Sequence, residues 1–535
     1  MVVVLVEIVK PRLVNSEGDV FMIWQTEEAL LTLAIELCAC KSINSTDGEK
    51  EIIEFIHKKL AALPYFHKNE DYMHVFLTED KRIGCSVYIP GRTSETIVFS
   101  GHVDVVPVED FGEHASMAFQ PIEWTEKVKQ LRLTEYVKKD SESNDYLFGR
   151  GTMDMLSSIA MCMQLIEFAA EEGLHHSLVM LFVPDEEGVS QGMRQGVKEL
   201  SRVQDTFNLS YKLFWNTEPT FPQAPTDNAH RIYSGSAGKL LAGVMSVGVE
   251  AHVADQNASV NAALMQSFVT KNLELNEAFS ETVEGEKTAP PSTLFQRDHK
   301  SEYSVQTPAT SSGLYNILTM ERTPLQITTA LRELLNACAK EVGEFYHDRF
   351  SFQVYTVQEL YEHAYTKFGD EFLERISSVQ VDPTDMLHST SSYLLTLIEF
   401  AKDLAPFYVL YYCPPFYPAV KSREDALLNT VREKLASKLR KANERVITQS
   451  YFPGLSDMSY IGLQIEESEL RVLKDNTPLW DNGYSLPFSE MKKIEMPVLN
   501  YGTFGRDAHQ WTERVHIDRS YRIAPTIIKE VLKEF

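Results

Sequence analysis

At 535 residues the chain exceeds the size at which single hydrophobic cores stop growing, which predicts two domains, one large and one small. Apolar residues at 44% and charged residues at 24% match a packed globular protein and exclude disordered and fibrous classes. With 51 basic and 76 acidic side chains the formal charge is −25, which repels nucleic acid and anionic membranes and points to a small-molecule or peptide substrate.

The opening MVVVLVEIV is interrupted by Glu7 and is followed by no basic leader or small-residue cleavage site, so it reads as a strand or an arm. Two helical patterns follow between residues 25 and 62, EEALLTLAIELCAC and GEKEIIEFIHKKLAAL, parted by the polar turn NSTDG. Next come the β-rich runs MHVFL, CSVYI, TIVFS, SLVMLFV and YKLFW, with an amphipathic helical stretch over 156–171. Strands alternating with helices predict an α/β sheet, whose ligands collect at the carboxyl ends of its strands.

A second unit opens near residue 233. It reads as the strand KLLAGVMSVGVEAH, the helix SVNAALMQSFVTKNLEL, the strands YSVQT and LYNILTM, a helix opened by Pro324, and the strand FSFQVYTV. That order, βαββαβ, is a ferredoxin-like unit, with the polar stretch 276–300 as a loop inside it. Past residue 375 long helices return, and the apolar run APFYVLYY reads as the first sheet resuming. The expected division is 1–232 plus 359–535 for the large domain, with 233–358 inserted as a lid. Six cysteines scattered through apolar segments suit reduced core thiols, and no apolar run reaches the length of about 18 residues that crosses a bilayer, so a soluble cytoplasmic protein is expected.

Four strand-to-loop junctions deliver acids or imidazoles. TIVFSGHVDVVP brings His102 and Asp104; the histidine can bind metal while the aspartate accepts its other ring N–H, although H-x-D alone also fits an ordinary core histidine. LFGRGTMDMLSS places Asp154 before a helix, either as a helix cap or as a bridge between two cations. SLVMLFVPDEEGVSQG sets Asp185, Glu186 and Glu187 after a buried strand, where mutual repulsion favours a nearby cation. Of two adjacent glutamates, one can ligate metal while the other moves a proton. YKLFWNTEPT ends on Glu218, and far downstream YGTFGRDAHQWTERV supplies His509, with Glu513 four residues on as a supporting carboxylate along one helical face. Two histidines and three carboxylates make a donor set that suits zinc, with manganese or cobalt as substitutes.

Together these elements resemble the co-catalytic zinc peptidases and deacylases, metallopeptidase family twenty, which include aminoacylase, acetylornithine deacetylase, succinyl-diaminopimelate desuccinylase and carboxypeptidase G. The ligand series is separated by 52, 33, 31 and 291 residues, and the last gap leaves room for an inserted lid. The resemblance implies one zinc on His102, Asp154 and Glu218, a second on Asp154, Glu187 and His509, and Glu186 as general base. It also implies a homodimer through the lid, because GVEAHVADQNASVNAAL is similar to a lid motif whose histidine, here His252, reaches a partner's site and stabilises the oxyanion. FPGLSDMSY, with Gly454, Ser456 and Asp457, loosely resembles a loop near the metals. Length and the segments around Arg322 and His509 are similar to the subgroup of the arginine-utilisation protein RocB. Where the family often has D-M-K-x-G, this chain has Leu156, Ser157 and Ser158 after Asp154 and Met155.

The implied reaction is metal-assisted cleavage of an amide bond in an N-acyl amino acid or short peptide. A dipeptidase or carboxypeptidase is the alternative within enzymes, with Arg322 or Arg231 as the carboxylate receptor. A catalytically silent, metal-stabilised binding protein is the alternative of another class.

Overall fold

The computed structural model describes residues 23–535 apart from 225, 256, 423 and 424, so the opening MVVVLVEIV lies outside the described residues. The chain is α/β and its described residues divide into two compact units, the first built from 23–236, 420–463 and 487–535, the second from 237–419 and 464–486.

In the first unit, helices Glu27–Cys38 and Gly48–Ala61 form where the periodic apolar patterns lie, the former capped by Thr26, whose hydroxyl accepts the Ala29 N–H at 3.2 Å. An eight-stranded mixed sheet follows. Its order is Met73–Leu77, Ile83–Ile89, Ser177–Val183, Glu95–His102, Ser210–Asn216, Val498–Asn500, His230–Tyr233 and Val446–Gln449. The three central strands run parallel: Glu95–His102 pairs with Ser177–Val183 on one side and Ser210–Asn216 on the other. SLVMLFV is buried at every position, as a strand covered on both faces must be, and that is why it shows no alternation. Helix Leu156–Glu172 packs against the central strands.

The second unit has a five-stranded sheet in the order Ser292–Asp298, Thr310–Thr319, Gly238–Val247, Phe407–Tyr417 and Gln353–Thr356, with helices Ala262–Leu273 and Pro324–Phe345. Three expectations are corrected here. APFYVLYY does not return to the first sheet: it pairs antiparallel with Gly238–Val247 and parallel with Gln353–Thr356, so the inserted unit runs on to Ala419 instead of closing at 358, and 464–486 also belongs to it. YSVQT forms no strand. The edge strand comes from Ser292–Asp298, inside the stretch expected to be a loop, and its polar composition follows from its exposed edge position.

Phe407–Tyr417 is apolar throughout because helices cover both its faces. The Tyr408 hydroxyl donates to the Met265 carbonyl at 3.1 Å and the Tyr412 hydroxyl lies 2.5 Å from Thr328 Oγ1, both on the helix pair of one face. Val409, Tyr411 and Cys413 alternate to the other side, in a core with Leu360, Leu394 and Leu397. Among the described residues no helix is long and apolar enough to cross a membrane. All six cysteines are free, five of them buried.

Candidate metal centre

Parallel strands bring their carboxyl ends to one sheet edge, so residues far apart in sequence meet there. His102 closes its strand in register with Val183, and Pro184 to Glu187 follow directly. Asn216 ends the third strand two residues before Glu218, whose carbonyl accepts from Asn500 Nδ2 at 3.2 Å.

His102 is buried, with Nδ1 2.9 Å from the Asp104 carbonyl oxygen. A carbonyl only accepts, so Nδ1 carries the hydrogen and Nε2 is left to face the acids: Asp154 Oδ1 at 3.1 Å and Glu218 Oε1 at 3.4 Å. His509 Nε2 lies 3.2 Å from Asp154 Oδ2 and 2.8 Å from Glu187 Oε1. Asp154 therefore presents one oxygen to each imidazole. It caps no helix: Leu156–Glu172 is preceded by Met155 with no side-chain cap.

Two supporting roles differ from expectation. The Asp104 carboxylate sits 3.6 Å from His102 Nδ1, and the carbonyl makes that hydrogen bond instead. Its oxygens take the Glu186 and Glu187 N–H groups at 3.1 and 3.0 Å, fixing the turn that carries both glutamates. Glu513 shares no helix with His509. Its Oε1 accepts the N–H groups of Met153 and Asp154 at 3.1 and 3.2 Å, while Oε2 meets Arg150 Nη1 at 2.8 Å. Arg150 and Glu513 are both buried, so removing the guanidinium strands a carboxylate. Arg150→Met is expected to cost about 3 kcal/mol of folding stability, read from the denaturant midpoint at constant m-value.

The acids of the cluster are crowded and buried, and their electrostatics follow from that. Burial, reinforced by neighbouring carboxylates, pushes Glu186 and Glu218 well above the ordinary range, and Glu187 upward too. Burial opposes protonation of His102, yet Glu218, Asp104 and Asp154 outweigh it and hold its pKa well above the usual value. His509 rises to about 11 against its burial, through Asp154 and Glu187. The imidazoles of His102 and His509, held between carboxylates, stand where a divalent ion would take over from the proton.

Among the described residues, three groups offer ligand atoms within 4.8 Å of one another: His102 with Asp154 and Glu218, Asp154 with Glu187 and His509, and His102 with Glu186 and Glu187. Imidazole and carboxylate donors fit zinc and its first-row neighbours. Asp457, whose loop the sequence matched only loosely, is buried nearby with Oδ1 lacking a hydrogen-bond partner, and its charge reaches Glu186 and Glu218; burial pushes it up to about 7.

His252 is exposed in the second unit, its Nδ1 accepting the Ala254 N–H at 3.2 Å. Arg231 pairs with Asp227 at 2.6 Å and Arg322 donates to the Ala278 carbonyl at 2.9 Å.

Residues 98–479 match Peptidase family M20/M25/M40. The protein is 34% identical over 528 residues to the Bacillus subtilis (strain 168) protein called Uncharacterized protein YqjN, covering 95% of this chain and 96% of that one. The chain belongs to peptidase family M20/M25/M40. It is accordingly a hydrolase acting on amide bonds. Protein RocB of the same bacterium is 28% identical over 534 residues, with 94% of each chain covered. Among solved structures, the M20 family metallo-carboxypeptidase Sso-CP2 from Sulfolobus solfataricus shares the fold, with a TM-score of 0.55 at 12% identity over 94% of this chain and 98% of that one.

Proposed function

We propose that this M20 member is a co-catalytic zinc hydrolase that cleaves the amide bond of a small N-acyl amino acid or short peptide, with Glu186 as general base. The observation that carries the reading is Asp154, which gives Oδ1 to the His102–Glu218 side and Oδ2 to the His509–Glu187 side. His102, Asp154 and Glu218 would hold one zinc and Asp154, Glu187 and His509 the other, with manganese or cobalt as substitutes. When bound, the metals supply Lewis acidity toward the scissile carbonyl and make water acidic near neutral pH.

The chain's own residues do the rest. Asp104 and Glu513 hold the Glu186–Glu187 turn and the Asp154 turn from beneath, so the acids meet the substrate already oriented. The Glu186 carboxylate takes a proton from the attacking water and returns it to the departing nitrogen as the C–N bond breaks. His252, contributed by a partner subunit in a homodimer formed through the lid, stabilises the negative charge on the former carbonyl oxygen. The free cysteines agree with a reducing, cytoplasmic setting.

The test is metal analysis of the purified protein together with turnover of N-acyl amino acids, dipeptides and tripeptides under zinc, manganese or cobalt. Two metals per chain and hydrolysis within this panel are expected. Metal without hydrolysis of any member would favour a binding protein, and no uptake under any loading condition would end the co-catalytic reading.

A further inference from the structure

Asp185, the residue before the two glutamates, holds a left-handed backbone at φ 68°, a region aspartate enters more readily than most side chains, and it is held on every side. Its N–H donates to Glu49 Oε1 at 3.0 Å, and its Oδ2 accepts the Gln191 N–H at 2.9 Å. Its Oδ1 accepts from Asn44 Nδ2 at 3.1 Å and pairs with the guanidinium of Arg82. Asn44 also donates to Asp104 Oδ2 at 2.8 Å, so the supports of residues 185, 186 and 187 are joined into one network.

Arg82 comes from a distant place, the turn between strands Met73–Leu77 and Ile83–Ile89. Its Nε faces Asp80 Oδ2 at 3.2 Å and Glu49 Oε2 at 3.5 Å, and Nη2 donates to Ser45 at 3.1 Å. One guanidinium thus bears on three carboxylates, one belonging to Asp185 itself and another to Glu49, which takes the Asp185 N–H. A planar fork spans partners on separate sides, whereas an ammonium gathers its donors on a single atom and lacks that reach.

We infer that Arg82 is a positioning residue for the reaction: through Asp185 and Glu49 it fixes the Glu186–Glu187 turn without reaching the substrate. The inference rests on the proposed role of Glu186.

Hydrogen–deuterium exchange on the full-length, metal-loaded protein tests it. In Arg82→Gln, amides of residues 185–191 are expected to exchange about tenfold faster, with the central strands Glu95–His102 and Ser177–Val183 unchanged. On whichever panel substrate is hydrolysed, kcat should fall about tenfold while KM stays within about twofold. Arg82→Lys, which keeps the charge and loses the fork, should show the same local change in smaller degree, and it decides the matter if Arg82→Gln loosens the whole unit. In Arg82→Lys, wild-type exchange over 185–191, or exchange raised equally across the sheet, would overturn the inference. Glu186→Gln measured alongside keeps the two failures apart: turnover in that variant would end the base assignment, while the exchange data still decide the role of Arg82.

Discussion

Glu186→Gln is expected to lower turnover by about 10²–10⁴-fold with two metals still bound. Glutamine keeps the volume and one oxygen of glutamate but cannot accept a proton at the pH of the assay. Metal content makes the variant informative beyond its activity. One of the three possible ligand groups contains Glu186, with His102 and Glu187, and there it would be a ligand instead of a base. The other two groups together use His102, Asp154, Glu187, Glu218 and His509 and leave Glu186 free. If Glu186→Gln loses a metal equivalent along with activity, the ligand role stands and the base must be sought elsewhere, first at Asp457, a buried carboxyl with an unpartnered oxygen whose charge reaches Glu186. Full activity in the variant would exclude both roles.

The sequence made the strand ends readable because buried parallel strands are uninterrupted apolar runs, and a polar residue directly after one stands at the sheet edge by construction. His102, Glu186, Glu187 and Glu218 all announce themselves this way, and Asp154 and His509 join them through ordered motifs. What periodicity does not carry is the partner of a strand. APFYVLYY is as apolar as SLVMLFV because helices cover both its faces, and nothing within those residues distinguishes one sheet from another. Ser292–Asp298 was hidden for the opposite reason: an exposed edge strand needs no apolar face. What the supports of the site hold was also out of reach, since that depends on pairings across the chain. Glu513 grips a turn some 360 residues away, and Arg82 reaches Asp185 from a hairpin with no motif of its own. Spacing placed Glu513 under His509, on a helix that the structure replaces with turns.

Asp154→Ala is expected to abolish both metal sites at once. Alanine removes Oδ1 from beside His102 and Glu218 and Oδ2 from beside His509 and Glu187, so each group falls from three protein ligands to two. The backbone N–H at 154 still meets Glu513, so the turn keeps its support while its ligand is gone. His509→Ala, by contrast, touches one group only and should leave about one metal per chain. A ligand that binds only the folded protein raises its stability by RT ln(1 + [L]/Kd), about 4 kcal/mol at a thousandfold excess over Kd, so the metal-induced rise in Tm reports the same thing without a substrate. That rise should be large in the wild type, reduced in His509→Ala and close to zero in Asp154→Ala. Should Asp154→Ala retain one tightly bound metal, its carboxylate serves a single ion and the bridging geometry is wrong. Should both variants lose both metals, the two sites fill only together, and the shared aspartate is the structural reason.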